Sequence, residues 1–142
     1  MSFRIEEKLL INKSKLIDFK NFLIANNAEQ IYGSRKINSL YFDNMNYEMH
    51  NDSLEGLTPR KKIRVRNYPK SNDEKLYLEV KISSIEGRYK TRKVIDINEF
   101  KNYKKNGIVD LQYGLCKPSL YVNYDREYFK INDVRISIDN NI

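Results

Sequence analysis

Polar and apolar residues alternate along several stretches of this chain, and the alternation is most regular between Arg60 and Tyr68. One register there carries Arg60, Lys62, Arg64, Arg66 and Tyr68, and the other carries Lys61, Ile63, Val65 and Asn67. Side chains of a strand point to opposite faces with period two, so this pattern predicts a strand with one cationic face. Lys75–Ser83 repeats it, with Lys75, Tyr77, Glu79, Lys81 and Ser83 against Leu76, Leu78, Val80 and Ile82. In Arg88–Ile97 the polar register holds Arg88, Lys90 and Arg92, while Tyr89, Thr91 and Ile95 face away. At the N-terminus, Phe3–Ile11 sets Arg4, Glu6 and Lys8 against Phe3, Ile5 and Leu9. Further strands are expected at Lys36–Asp43, from Pro118 to Ile131 and over Val134–Asp139, the last two joined by a turn at Asn132-Asp133.

Helical spacing appears in three places. Lys13–Asn26 places Leu16, Phe19, Leu23 and Ile24 toward a core, with Asn12 or Ser14 as its cap. Tyr47–Leu54 reads as a short helix or turn. Glu99–Lys105 reads as a helix capped by Asn98 and stopped by Gly107. Pro69-Lys70-Ser71-Asn72-Asp73 is a turn signal. The predicted class is α+β: an antiparallel β-barrel or tunnel, closed or incomplete, with a few packed helices. Helices packed outside a curled sheet would turn its cationic faces toward a polar lumen.

Four strands with cations on one face need counter-anions or abundant water, because like charges opposite each other repel. A solvated sheet face is the bland explanation. Against it stands the recurrence of the pattern, with Arg at its densest point, since the guanidinium fork matches phosphate oxygens. The 142 residues suit one domain, and the net charge of +7 points to a polyanionic partner. Eleven tyrosines offer platforms for bases, yet they are not grouped like an RNA-recognition sheet, so nucleic acid is the weaker expectation. A single cysteine, Cys116, excludes an internal disulfide and reads as a small core residue. A single histidine, His50, reads as a helix-surface residue and excludes His-rich metal sites and Ser-His-Asp catalysis. No stretch approaches the ~20 apolar residues of a membrane helix, and the N-terminus lacks a signal-peptide layout. A cytoplasmic or cytoplasm-facing location is therefore expected.

Lys61, Lys70, Lys101, Lys104 and Lys105 read as solvated surface charges. Arg35 and Lys36 read as strand-flanking residues. Asp43 and Asp139, at strand ends, read as turn caps.

Taken in order, the motifs resemble the VTC domain, the polyphosphate-polymerase branch of the CYTH or triphosphate tunnel metalloenzyme superfamily. Arg4-Ile5-Glu6-Glu7-Lys8 resembles the first strand, with Arg4 where Glu is usual. Ser39-Leu40-Tyr41-Phe42-Asp43 and Arg64-Val65-Arg66-Asn67-Tyr68 resemble the strands that follow. Leu78-Glu79-Val80-Lys81, Tyr89-Lys90-Thr91-Arg92, Tyr124–Phe129 and Val134–Asp139 complete the set over nearly the whole chain. The resemblance implies a basic tunnel that binds ATP and inorganic polyphosphate and transfers the terminal phosphate of ATP to the polymer. By position, Lys8, Arg64, Arg66, Lys81, Lys90, Arg126 and Arg135 would line the phosphate path, with Arg92 and Tyr41 also contacting nucleotide. A divalent metal, Mn or Mg, is implied, with Glu6 and Glu79 as the acidic candidates. In the family the tunnel continues past the strand matching Val134–Asp139, and a later strand supplies a metal-binding glutamate. This chain ends at Asn140-Asn141-Ile142, so it is expected to lack those strands, leaving an edge for a second copy or a partner strand. Hydrolysis of tripolyphosphate on the same fold is disfavoured by Arg4. Non-catalytic polyphosphate binding is the other reading.

Overall fold

A computed structural model describes residues 5–142. The elements in chain order are α1 (Lys13–Ala25), β1 (Glu29–Asp43), α2 (Glu48–Glu55), β2 (Arg60–Asn67), β3 (Leu76–Ser84), β4 (Gly87–Ile95), α3 (Ile97–Asn106), β5 (Ile108–Asp110), β6 (Gly114–Ile131) and β7 (Val134–Asn140). The strands are joined in the order β4-β3-β2-β1-β6-β5, with β7 paired to β6. Among the described residues that path has two ends and does not close. The class is α+β, an antiparallel sheet forming an incomplete barrel, with three helices among the described residues. No helix among the described residues is long and apolar enough to cross a membrane.

The chain divides into two compact units. The larger comprises Arg35–Asp125 with Asn140–Ile142. Its core gathers Phe42, Met49, Ile63, Val65, Ile95, Tyr113 and Cys116, with Leu40, Leu76, Leu78, Val80, Phe100, Tyr103 and Ile108 packed against them. These are the apolar registers of β1–β4 with residues of α2, α3, β5 and β6. β2 is buried on both faces: Ile63 and Val65 on the core side, Arg64 and Arg66 on the other. Register follows from the hairpins. Lys62 lies opposite Lys81, Arg64 opposite Glu79 and Tyr41 opposite Arg64. Lys81 lies opposite Lys90, and Glu79 opposite Arg92.

Caps fix the helices of this unit. Asp43 accepts from the backbone N–H of Met49 and His50, each at 3.0 Å, and so holds the start of α2. The start of α3 is set by Asp96, not Asn98. The Asp96 carboxylate accepts from Glu99 N–H at 2.8 Å, while the Glu99 carboxylate accepts from Asp96 N–H at 3.1 Å. That reciprocal capping box satisfies two orphan donors, more than Asn98 offers. Gly107 ends α3 with φ +82°, and a Cβ there would lie 2.5 Å from the Cys116 carbonyl. The short β5 went unforeseen because three residues carry no readable period. Burial pushes the Cys116 thiol up to about 11, with Asp110 and Asp43 adding to it, so it is an inert core group. Lys61 is not a solvated charge: its ammonium meets Asp110 at 2.9 Å, both side chains mostly covered.

The smaller unit comprises the chain up to Ser34 and Arg126–Asp139. Asn12 caps α1 by accepting from Lys15 N–H at 2.9 Å. Leu23 is buried, Leu16 and Phe19 are half-buried, and Ile24 is exposed, contrary to expectation. Leu23 and Phe19 are four apart and share a face, whereas Ile24 is rotated a further ~100° off it. The strand expected at Phe3–Ile11 does not form over its described part. Residues 5–12 have no strand pairing, and Ile5, Leu9 and Leu10 are exposed. Alternation assigns faces but supplies no neighbour, and a strand without a ladder is not stable. Phe3 and Arg4 lie outside the described residues.

Two substitutions separate packing from capping. Phe42→Ala should cost about 3–5 kcal/mol by transfer and cavity terms, and Asp96→Ala about 1 kcal/mol by loss of the cap. Urea unfolding midpoints of the two variants check that ranking.

Candidate phosphate-binding site

The larger unit brings Arg64, Arg66, Glu79, Lys81, Lys90, Arg92 and Tyr41 onto one face of β1–β4. At its centre is Glu79, 1% exposed. Arg64 donates to Glu79 Oε2 from Nε and reaches it from Nη2, both at 2.7 Å. The Nη1 of Arg66 stands 4.0 Å from the same oxygen. Glu79 Oε1 faces the Lys90 ammonium at 3.1 Å and Arg92 Nε at 3.5 Å. Cross-strand pairing explains this convergence, since Arg64, Glu79 and Arg92 form one row across β2, β3 and β4.

Neutral groups from the flanking strands hold the cations in place. Arg64 Nη1 donates to the Tyr41 hydroxyl at 3.0 Å. Arg66 Nε donates to Ser39 Oγ at 3.0 Å, and its Nη2 to the Tyr124 hydroxyl at 3.2 Å. Arg92 lies over the Tyr77 ring at 3.6 Å, and Arg35 over Tyr68 at 4.1 Å. Tyr77 donates to Asp73 at 2.7 Å. Planar, delocalised guanidinium suits such stacking and forking, which a lysine could not reproduce.

The next row across the same strands is Lys62, Lys81 and Lys90. Three ammonium groups side by side have only the reach of Lys90 to Glu79 to offset them. Among the described residues Lys81 has no carboxylate partner. Partial desolvation, followed by the charges of Arg64, Lys90 and Arg66, pushes Lys81 down to about 8. The face therefore carries Arg64, Arg66, Lys81, Lys90 and Arg92 against one carboxylate. Arg64 and Arg66 are buried at 8% and 6% exposure, whereas Lys90 and Arg92 keep roughly two-fifths of their side chains open. The open cations thus stand outermost, with the buried guanidinium groups behind them.

Glu79 holds a depressed pKa. Burial alone would raise it, but the charge and hydrogen bonds of Arg64, with those of Lys90, outweigh burial and keep the carboxyl below its usual 4.5. Both oxygens face cations, so Glu79 balances charge. Among the described residues no group of three or more His, Cys, Asp or Glu side chains comes together. A divalent ion here would meet five cations and one engaged carboxylate, so these residues do not fit the expected metal by themselves.

The other residues expected at the site belong to the smaller unit. Glu6 and Lys8 are exposed in the segment without strand pairing. Arg126 donates to Asp139 through Nε at 2.6 Å and Nη2 at 2.8 Å, so Asp139 is its ion-pair partner. Arg135 is exposed on β7. Ser39 had gone unassigned by the sequence. Its role depends on facing Arg66 across β1 and β2, a register that alternation alone does not give.

Fold and site together define an antiparallel sheet protein with one strongly cationic face. The profile of the VTC domain matches residues 3–142, and the chain belongs to that family. No curated protein matches the chain.

Glu79→Ala would strand the buried Arg64 and Arg66 guanidinium groups and should cost about 3–5 kcal/mol. Its depressed pKa means the unfolded chain binds more protons below about pH 4.5. The stability Glu79 contributes is thus full above that pH and lost as pH falls through the folded-state value. Urea unfolding between pH 3 and pH 6 should show that loss in the parent and a flatter profile in Glu79→Gln.

Proposed function

We propose that this domain works as a polyphosphate polymerase: it binds ATP and inorganic polyphosphate on the cationic face and transfers the terminal phosphate of ATP to the polymer. One observation carries the reading. Four cations, two of them buried, surround a single carboxylate on an antiparallel sheet, and Lys81 adds a fifth charge beside them. Membership of the VTC family supports it.

The chemistry asks little more of the protein than placement and charge. An oxygen of the polymer's terminal phosphate bonds to the γ-phosphorus as the bond to the β,γ-bridging oxygen breaks, and ADP leaves. Arg64 and Arg66, pre-positioned by Glu79, Tyr41, Ser39 and Tyr124, would neutralise equatorial oxygens at no cost of reorganisation. Lys81 and Lys90 would bind the leaving or incoming phosphates. Lys8, Arg126 and Arg135 remain proposed contributors to the phosphate path. A domain consuming ATP fits the cytoplasmic location expected from the sequence.

A second reading, polyphosphate binding without catalysis, is favoured by the lack of clustered carboxylates among the described residues. Incubation with ATP separates the readings. Long polymer supports transfer, orthophosphate alone supports hydrolysis, and tight polymer binding without turnover supports the second reading.

Lys81→Ala and Lys90→Ala should each weaken polyphosphate binding about tenfold, the scale of one hydrogen bond to a charged group; Lys81→Ala should leave the melting temperature unchanged, whereas Lys90→Ala should lower it by removing a partner of the buried Glu79. Unchanged affinity in both would sink the assignment. Anion binding should also restore the proton on Lys81. At pH 8 calorimetry in buffers of different ionisation heat should show proton uptake, and affinity should fall as pH rises through 8. Lys81→Met should lose both effects.

A further inference from the structure

Arg92 is far more open than Arg64 or Arg66, with 41% of its side chain exposed, yet it is held from several directions. Its Nε stands 3.5 Å from Glu79. Its Nη2 donates to the Tyr68 hydroxyl at 3.3 Å. Its guanidinium carbon lies 3.6 Å from the centre of the Tyr77 ring and 5.9 Å from that of Tyr68. The two rings meet edge-on, 6.2 Å apart. Register explains the stack, because Tyr77 is two residues before Glu79 on the same face of β3 and so diagonal to Arg92. A guanidinium carries five N–H donors. Those of Arg92 not turned to Glu79 or Tyr68 have no acceptor among the described residues.

Tyr77 is itself tied down. Its hydroxyl donates to Asp73 Oδ2 at 2.7 Å. Asp73 lies in the loop between β2 and β3, and that loop is knit by Ser71, whose Oγ accepts from Asp73 N–H at 3.1 Å and donates to the Tyr68 carbonyl at 2.7 Å. The bond to Tyr77 holds the Asp73 carboxyl below its usual value and raises the Tyr77 hydroxyl above its own, so near neutrality phenol and carboxylate keep their roles as donor and acceptor. By charge alone, a carboxylate here repels an arriving anion. By geometry it does the opposite, because it fixes the ring that fixes Arg92. A long side chain ordered on folding need not be ordered again when a ligand binds.

We propose that Asp73 is a positioning residue: through Tyr77 it stations Arg92 for the phosphates, so a loop carboxylate that touches no ligand tightens the grip on them. The inference rests on the reading of the cationic face as a phosphate site, and it adds the β2–β3 loop as a lever on affinity. The expected effect is about fivefold, the scale of ordering one flexible side chain.

Calorimetric titration of the full chain with inorganic tripolyphosphate tests the sign of that effect. Asp73→Ala and Tyr77→Leu should each weaken binding about fivefold. Asp73→Asn loses the charge but keeps an oxygen for the Tyr77 hydroxyl, and should bind within about twofold of the parent or more tightly. Unchanged or tighter binding by Asp73→Ala, the outcome expected of charge alone, overturns the proposal. In an Arg92→Ala background, Asp73→Ala should cause no further loss. The same loss there shows that Asp73 does not act through Arg92 and refutes the inference. A second measurement needs no change at Asp73. In the unliganded parent the ring current of Tyr77 should move the Arg92 side-chain proton resonances upfield, and Tyr77→Leu should return them; ordinary arginine positions in the parent also refute it. Parent protein that binds tripolyphosphate no better than Arg92→Ala does removes this inference and leaves the phosphate site standing. Parent protein that binds none removes the functional reading and the inference with it.

Discussion

A single buried carboxylate makes the cationic face possible. Glu79 sits where Arg64, Arg66, Lys90 and Arg92 would otherwise repel one another, and each of its oxygens is shared between cations. Burying charge is expensive unless it is paired and hydrogen-bonded. Here the pairing is dense: Arg64 also bonds to Tyr41, and Arg66 to Ser39 and Tyr124. The result is a rigid but incompletely neutralised face. That excess is what a phosphate chain can satisfy, and the lysine row beside it has even less compensation.

The two faces of β2 depend on each other. Ile63 and Val65 fix its core side against Phe42 and Met49, which sets the strand's height and twist. With that side locked, Arg64 and Arg66 have no freedom to turn outward, and the cross-strand register delivers Glu79 and Arg92 to them. Preorganisation of this kind costs nothing at the moment a ligand binds, because it was established on folding. Lys81 and Lys90 differ, since they are exposed and adapt to what arrives. The site thus combines a fixed floor of guanidinium groups with a mobile-charge rim of ammonium groups.

Much of this was legible from the chain alone. Period-two alternation assigned Arg64, Arg66, Glu79, Lys81, Lys90 and Arg92 to polar faces, and those six residues do share one. Cys116 lying inert in the core also followed from type and position, whereas Asp43, read as a turn cap, caps the helix α2. Where sequence reasoning failed, a partner was missing from the reasoning. Phe3–Ile11 had a good alternation, but its described part, residues 5–11, has no neighbouring strand among the described residues. Lys61 looked solvated until the β5 residue Asp110 came beside it. The start of α3 was misplaced because the reciprocal bonds of Asp96 and Glu99 were not weighed against Asn98.

By itself the sequence determined which side chains could share a face, because strand geometry is local and its period is two. It also determined the excess of positive charge. Tertiary structure alone decided which strands are neighbours and in what register, since pairing joins residues remote in the chain. It therefore decided that Glu79 meets four cations, that Ser39 supports Arg66, and that Lys62, Lys81 and Lys90 stand in one row.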